Sequence, residues 1–147
     1  MKWELRLKNY KMFLSKIQSY NFYELDDYEL EEELVSWLDE AVNSFSFYCK
    51  QDIDSADTTI PNGYFNVDLT RQEKQIISDY MVLHYVEMNL NDLEATEQTL
   101  NSRDYRMYSE ANYLEAKSKL RDRIGKKINQ QLSRYSYHSG SLSKWLK

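Results

Sequence analysis

Helix breakers are scarce in this chain, and that scarcity constrains the fold more than any other feature. Only three Gly and one Pro occur in 147 residues, and both residue types interrupt helices. Apolar residues recur at intervals of three and four over long segments, which is the spacing of one helix face. We therefore predict an all-α protein, an antiparallel bundle of about four main helices with a C-terminal extension.

The spacing of the apolar residues also predicts where the helices lie. We expect a first helix over about 3–18, a second over about 27–50 and a fourth over about 110–135. The third is expected to begin after Thr70 and to continue to about 100. The third helix is expected to weaken at 89–92. Residues 1–135 would form one helical domain, with 51–68 as a loop between the second and third helices. Residues 136–147 lose the helical period, and we interpret them as a C-terminal docking tail.

Two local signals refine this prediction. Thr70 and Glu73 have the spacing of a capping box, in which each residue bonds the main-chain amide of the other and starts the third helix. Gly125 lies inside the fourth helix, where Gly costs roughly 1 kcal/mol relative to Ala. We therefore expect a bend or a close backbone contact at Gly125.

Charge is sorted along the chain. Residues 1–102 hold 8 Lys and Arg against 20 Asp and Glu, whereas residues 103–147 hold 11 against 4. The acidic side chains are densest at the start of the second helix, around Glu31 and Glu32. Such asymmetry predicts that unlike surfaces meet, within one molecule, between copies or with a polyanion.

The basic residues of the fourth helix are the strongest candidate for a functional surface. Three interpretations stay open: docking against an acidic protein surface, a solvated face with ion pairs four residues apart, and nucleic-acid binding through phosphate contacts. The residues concerned are Lys117, Lys119, Arg121, Arg123, Lys126, Lys127 and Arg134.

Composition and residue spacing argue against a disulfide, a membrane segment, a metal site and a catalytic site. The lone Cys49 excludes an intramolecular disulfide, and no apolar run suits a signal peptide or a membrane helix, so we expect a soluble protein made in a reducing compartment. An EF-hand starting at Asp52 fails, because its positions 6 and 12 hold Asp57 and Gly63. We interpret His84 as structural and Cys49 as a packing residue. We expect no cofactor, no metal and no catalytic site.

Three stretches resemble a family of small proteins encoded in the structural-gene cassettes of tailed bacteriophages of Gram-positive hosts. They are residues 7–14 (LKNYKMFL) with the acidic helix that follows, 65–70 (FNVDLT) and 102–112 (SRDYRMYSEAN). The resemblance covers nearly the whole chain and consists of packing and capping patterns. It implies a head-to-tail connector or adaptor in the neck of the virion, assembled in the host cytoplasm.

The resemblance also implies partners. Connectors of this type are helical bundles repeated as a ring, usually of twelve copies, between the portal and the next tail or neck protein. Double-stranded DNA passes through the ring without specific binding, so we expect acidic side chains to line the channel. The C-terminal extension inserts into the portal, which would make Tyr137, Leu142, Trp145 and Leu146 the portal anchors.

Within such a ring, one face of a subunit meets a different face of the next. We expect the basic fourth helix to lie against acidic surface from the second or third helix of the neighbour. The candidate interface residues are Glu31, Glu32, Lys117, Arg121, Arg123 and Lys127. Two other classes stay open: a nucleic-acid-binding accessory protein that uses the fourth helix, and a phage regulatory protein that binds a host factor. An enzyme is the weakest alternative.

Overall fold

The computed structural model describes residues 10–17, 27–53, 65, 67–99 and 104–138, and these residues form a helical bundle. Residues 10–14 form α1, and α2 (Asp27–Ser46), α3 (Arg71–Thr99) and α4 (Asp104–His138) follow. Within those ranges there is no β-strand. The prediction of an all-α bundle is confirmed.

Helix α3 is the centre of the bundle and packs against both α2 and α4. Near its start, Glu73 accepts a hydrogen bond from Tyr135 at the end of α4, and six residues later Asp79 meets Lys127. On the other side, Trp37 of α2 packs against Tyr85 with ring centroids 5.3 Å apart. Just after the end of α2, the Cys49 sulfur lies 3.9 Å from Glu73 at the start of α3. Both neighbours therefore run antiparallel to α3.

The core lies where the apolar stripes of α2, α3 and α4 meet. Helix α1 adds Phe13, which is fully buried with its ring 5.7 Å from Trp37 and 6.1 Å from Tyr85. Burying a side chain of this size contributes roughly 1.5–3 kcal/mol. The other fully buried large apolar side chains are Phe45, Phe65, Ile76, Ile77 and Met81.

The predicted capping box at the start of α3 is confirmed. The Glu73 amide donates to Thr70 Oγ1 at 3.2 Å, and the Thr70 amide donates to Glu73 Oε2 at 2.7 Å. Two of the amides that a helix start leaves without helical partners are thereby satisfied.

Several boundaries differ from the predicted ones. Helix α2 ends at Ser46 in a turn in which the amides of Tyr48 and Cys49 both donate to the Phe45 carbonyl. The expected weakening of α3 at 89–92 is wrong, because the helix is continuous to Thr99 and Leu90 is buried within it.

Helix α4 is longer than predicted at both ends. It begins at Asp104 and continues to His138, so it includes the first three residues of the segment that we assigned to the tail. The apolar period stops at Tyr135 because the last helical turn extends past the core, not because the helix ends. The expected close contact at Gly125 is also wrong, since a Cβ built there meets nothing within 4 Å.

Candidate functional site

The basic residues of α4 do not form a single patch. Successive helical residues are about 100° apart around the helix axis, so Arg121 and Arg123, two residues apart, project from nearly opposite sides of α4. Arg123 is exposed, whereas Arg121 is half-buried and lies 3.4 Å from Asp122. The exposed members on the side of α4 that faces away from α3 are Lys119, Arg123, Lys126 and Arg134, and we call them the outer basic face.

Lys127 forms an ion pair within the molecule, although its side chain is 53% exposed. Its Nζ donates to Asp79 Oδ1 at 3.2 Å, and Lys16 Nζ donates to the same oxygen at 2.7 Å. Asp79 is only 4% exposed, so this three-residue cluster holds the end of α1 and the middle of α4 against α3. Part of the charge that the sequence assigned to a subunit interface therefore stabilises the fold.

The surroundings of this cluster shift its ionisation. Burial raises the pKa of Asp79, but the hydrogen bonds and charges of Lys16 and Lys127 outweigh that effect and hold the carboxyl below its usual value. Burial lowers the pKa of Lys16, and the hydrogen bond to Asp79 offsets this only in part. Asp79 Oδ2 is buried without a hydrogen-bond partner.

Beside the cluster lies a cleft of about 400 Å³ between the end of α1, α3 and α4. Lys117, Leu120, Ile124 and Lys127 form its α4 wall, so two apolar side chains stand between two lysines. Val82, Tyr85 and Val86 of α3 form the opposite wall, and Lys16 and Ile17 close one side. The cleft thus has an apolar centre and a cationic rim, a combination that suits an apolar group flanked by acids.

The acidic candidates lie on α2. Glu32 is exposed and Glu31 is half-buried in the early turns of the helix. Further along α2, Glu33 and Glu40 are also exposed. Exposed acids therefore predominate on α2 and exposed bases on α4, where Glu115 pairs with Lys119 at 2.7 Å and Asp122 is also exposed. Both helices pack against α3.

The ends of α2 and α4 meet the start of α3 in a buried polar network. Tyr135 donates its hydroxyl to Glu73 Oε1 at 2.8 Å and accepts the Lys50 amide at 3.1 Å. Gln51 Nε2 donates to Glu73 Oε2 at 3.1 Å. The Cys49 sulfur lies 3.8 Å from the Tyr135 oxygen, and burial raises the pKa of its thiol. A raised pKa keeps this thiol protonated and weakly nucleophilic.

The same end of the bundle exposes aromatic side chains. Tyr137 is 66% exposed in the last turn of α4, and Phe47 and Tyr48 are 85% and 55% exposed just after α2. Of the four predicted portal anchors, Tyr137 is therefore on the surface. Leu142, Trp145 and Leu146 lie outside the residues that the structure describes.

His84 joins α2 to α3 in a second polar cluster. Its Nε2 lies 3.1 Å from Ser44 Oγ, and its Nδ1 lies 3.5 Å from Glu40 and 3.6 Å from Glu87. Serine, histidine and carboxylate in this order are the parts of a hydrolase triad. Ser44, however, donates to the Glu40 carbonyl at 3.0 Å from within a helix, where the neighbouring amides are engaged in helical bonds. We interpret the cluster as a structural contact.

The described part of the chain also bears on metal binding and on membrane insertion. No group of three or more His, Cys, Asp and Glu there could hold a metal ion. No described helix is long and apolar enough to cross a membrane.

Sequence reasoning missed two features of this surface. Asp79 follows Ile76 by three residues, and a charged residue at core spacing is the signal that could have identified the buried cluster. The cleft had no such signal, because its walls come from three separate segments. No protein family, no curated protein and no solved structure matches this chain.

Proposed function

We propose that this protein is a structural protein of a tailed bacteriophage, a head-to-tail connector that forms a ring beneath the portal and joins capsid to tail. The proposal rests on the resemblance described above and on one structural observation. That observation is the uneven distribution of exposed charge: α2 exposes acids and carries no Lys or Arg, whereas the described bases of α4 outnumber its exposed acids, Glu115 and Asp122. In a ring, the acidic surface of one subunit meets the basic surface of the next.

The positions of the basic residues refine the interface. Arg123 and Lys126 point outward and are available to a neighbour, whereas Lys127 binds Asp79 and Arg121 is half-buried. We therefore assign the outer basic face to the subunit contact, rather than all four of the basic interface residues predicted from sequence. Glu32 and Glu33 are exposed acids of α2 that this face would approach.

Charge reversal tests the interface. The double variant Arg123→Glu with Lys126→Glu should raise the protein concentration at which rings form, because both changes place acid against acid. Lys11→Glu with Arg71→Glu is the matched control, since both residues are exposed and the net charge changes equally. Analytical ultracentrifugation and negative-stain imaging with purified portal particles provide the measurement. Equal assembly of the two double variants would refute the interface.

In the same proposal, the end of α4 and the residues beyond it bind the portal. Tyr137 is already on the surface, and exposed tyrosines are favoured anchors in partner pockets. Removal of residues 139–147 should abolish portal binding while leaving subunit association intact. A truncated protein that still decorates the portal would contradict this assignment.

The outer basic face also favours a second candidate function. Lys119, Arg123, Lys126 and Arg134 follow one side of a long helix, as phosphate-contacting residues do in nucleic-acid-binding proteins. A DNA-binding accessory protein would bind duplex DNA as a monomer or dimer with a steep salt dependence. A connector would leave DNA unretained, so a filter-binding series at increasing salt separates the two.

A further inference from the structure

Phe47 is unusual among the four phenylalanines that the structure describes. It is 85% exposed immediately after α2, whereas Phe13, Phe45 and Phe65 are each at most 2% exposed. Its side chain has no polar atom that would favour contact with water. Moving such a ring out of water is favourable wherever an apolar surface accepts it.

The cleft between α3 and α4 is such a surface. Leu120 and Ile124 face Val82 and Val86 across it, and its volume of about 400 Å³ is large enough for an aromatic side chain. Three lysines and one carboxylate, Asp79, line the cleft, so its net charge is positive and favours an apolar group that carries acids nearby.

Helix α2 supplies acids at the matching distance. Glu33 and Glu40 lie seven residues apart on its exposed side, and Phe47 follows after another seven, in the turn that comes after Ser46. The amides of Tyr48 and Cys49 bond the Phe45 carbonyl, so this turn keeps a near-helical rise and Glu40 lies about 10 Å from Phe47 along the helix axis. On α4, Lys117 lies seven residues before Ile124, which is the same distance. A phenyl ring beside Ile124 would therefore bring Glu40 to the level of Lys117.

We propose that Phe47 of one copy inserts into the cleft between α3 and α4 of the next copy, with Glu40 paired to the lysine rim. The inference rests on the proposed ring and adds an apolar part to its subunit contact, beside the outer basic face, since Lys127 at the cleft lies one helical turn after Arg123. Each copy carries one Phe47 and one cleft, so the contact is heterologous and repeats from copy to copy. Such a contact closes into a ring when the rotation between copies allows it.

Disulfide trapping between two variants tests the contact directly. Both are made with Cys49→Ser, which removes the only native thiol; one carries Phe47→Cys and the other Leu120→Cys. The two proteins are mixed, oxidised and separated on a non-reducing gel. We expect the mixed disulfide in at least tenfold higher yield than in a control that pairs Phe47→Cys with Asn129→Cys, an exposed α4 position outside the cleft.

A second measurement follows association itself. Phe47→Ala should raise the concentration at half-association at least tenfold, since burial of a phenyl ring is lost. Phe47 is exposed in the single chain, so the variant should fold as the wild type does.

The outcomes separate this inference from the proposed function. If Phe47→Ala forms rings at the same concentration as the wild type, the contact is overturned and the connector proposal stands. Wild-type protein that never associates would overturn both. Equal cross-linking yields for the cleft and control positions would also overturn the contact. A single chain that carries both Phe47→Cys and Leu120→Cys gives a further check. If its disulfide forms only within that chain and never between chains, the contact is also overturned.

Discussion

The hydroxyl of Tyr135 should contribute more to the free energy of unfolding than any other single polar atom at the end of the bundle where α4 meets the start of α3. It donates to Glu73 Oε1 at 2.8 Å and accepts the Lys50 amide at 3.1 Å, and the Tyr135 ring is 4% exposed. Tyr135→Phe removes both hydrogen bonds but keeps the ring, which packs 5.6 Å from Phe45. The change therefore isolates the hydroxyl.

The magnitude follows from the two bonds. A hydrogen bond to a charged acceptor contributes about 1.5–3 kcal/mol and one between neutral groups about 0.5–1.5 kcal/mol. Glu73 keeps the Thr70 amide and Gln51 as donors, so its carboxylate is not left without partners. We expect a loss of about 3 kcal/mol, which lowers the melting temperature by about 6–12 °C in a domain of this size.

Urea unfolding followed by circular dichroism at 222 nm and by tryptophan fluorescence measures the loss. Tyr137→Phe is the matched control. It also removes a tyrosine hydroxyl, two residues further along α4, but from a side chain that is 66% exposed. That control should lie within about 0.5 kcal/mol of the wild type. Equal stability of the two variants would refute the assigned role of the Tyr135 hydroxyl.

The same residue predicts an alkaline effect. Burial raises the pKa of Tyr135, and the Lys50 amide offsets this only in part. A phenol whose pKa is raised on folding contributes stability below its unfolded pKa of about 10, and that contribution is lost as the pH rises further. The stability difference between wild type and Tyr135→Phe should therefore narrow above about pH 10.

Three further changes have expected outcomes. Asp79→Asn should cost about 2 kcal/mol at neutral pH, less than a fully buried pair because its lysines are partly exposed. Since the pKa of Asp79 is lowered on folding, its contribution is present above about pH 4 and lost below, so the two urea midpoints should converge in acid. Gly125→Ala should raise the unfolding free energy by about 1 kcal/mol, because the added methyl group meets nothing within 4 Å. Thr70→Ala should lower it by about 1 kcal/mol through loss of the helix cap, whereas Thr70→Ser should retain most of the stability in the same urea titration.

Local sequence patterns were sufficient for the helical architecture. The capping box at Thr70 and Glu73 was predictable because both hydrogen bonds join residues three positions apart. The stripe through Leu34, Trp37 and Leu38 was equally predictable, since its period depends only on helical geometry. Such features need no knowledge of how the helices are arranged in space.

Helix boundaries were less predictable where packing decides them. The end of α4 at His138 lies beyond the last apolar residue of the period, so the hydrophobic pattern does not mark it. The same limit applies to α3. The polar residues within 89–92 predicted a weak point, but Leu90 in that segment is buried in the core and the helix is continuous there.

The spacing of apolar residues and the order of charges along the chain were enough to predict long helices, with acid and base in different parts of the protein. Which charges pair within the molecule depends on helix packing: Lys127 donates to Asp79, 48 residues away, whereas Arg123, four residues earlier, lies on the outer side of α4. The cleft and the Tyr135 network likewise join segments far apart in sequence. Helical period sets the direction of each side chain relative to its own axis, but its neighbours depend on how the helices pack together.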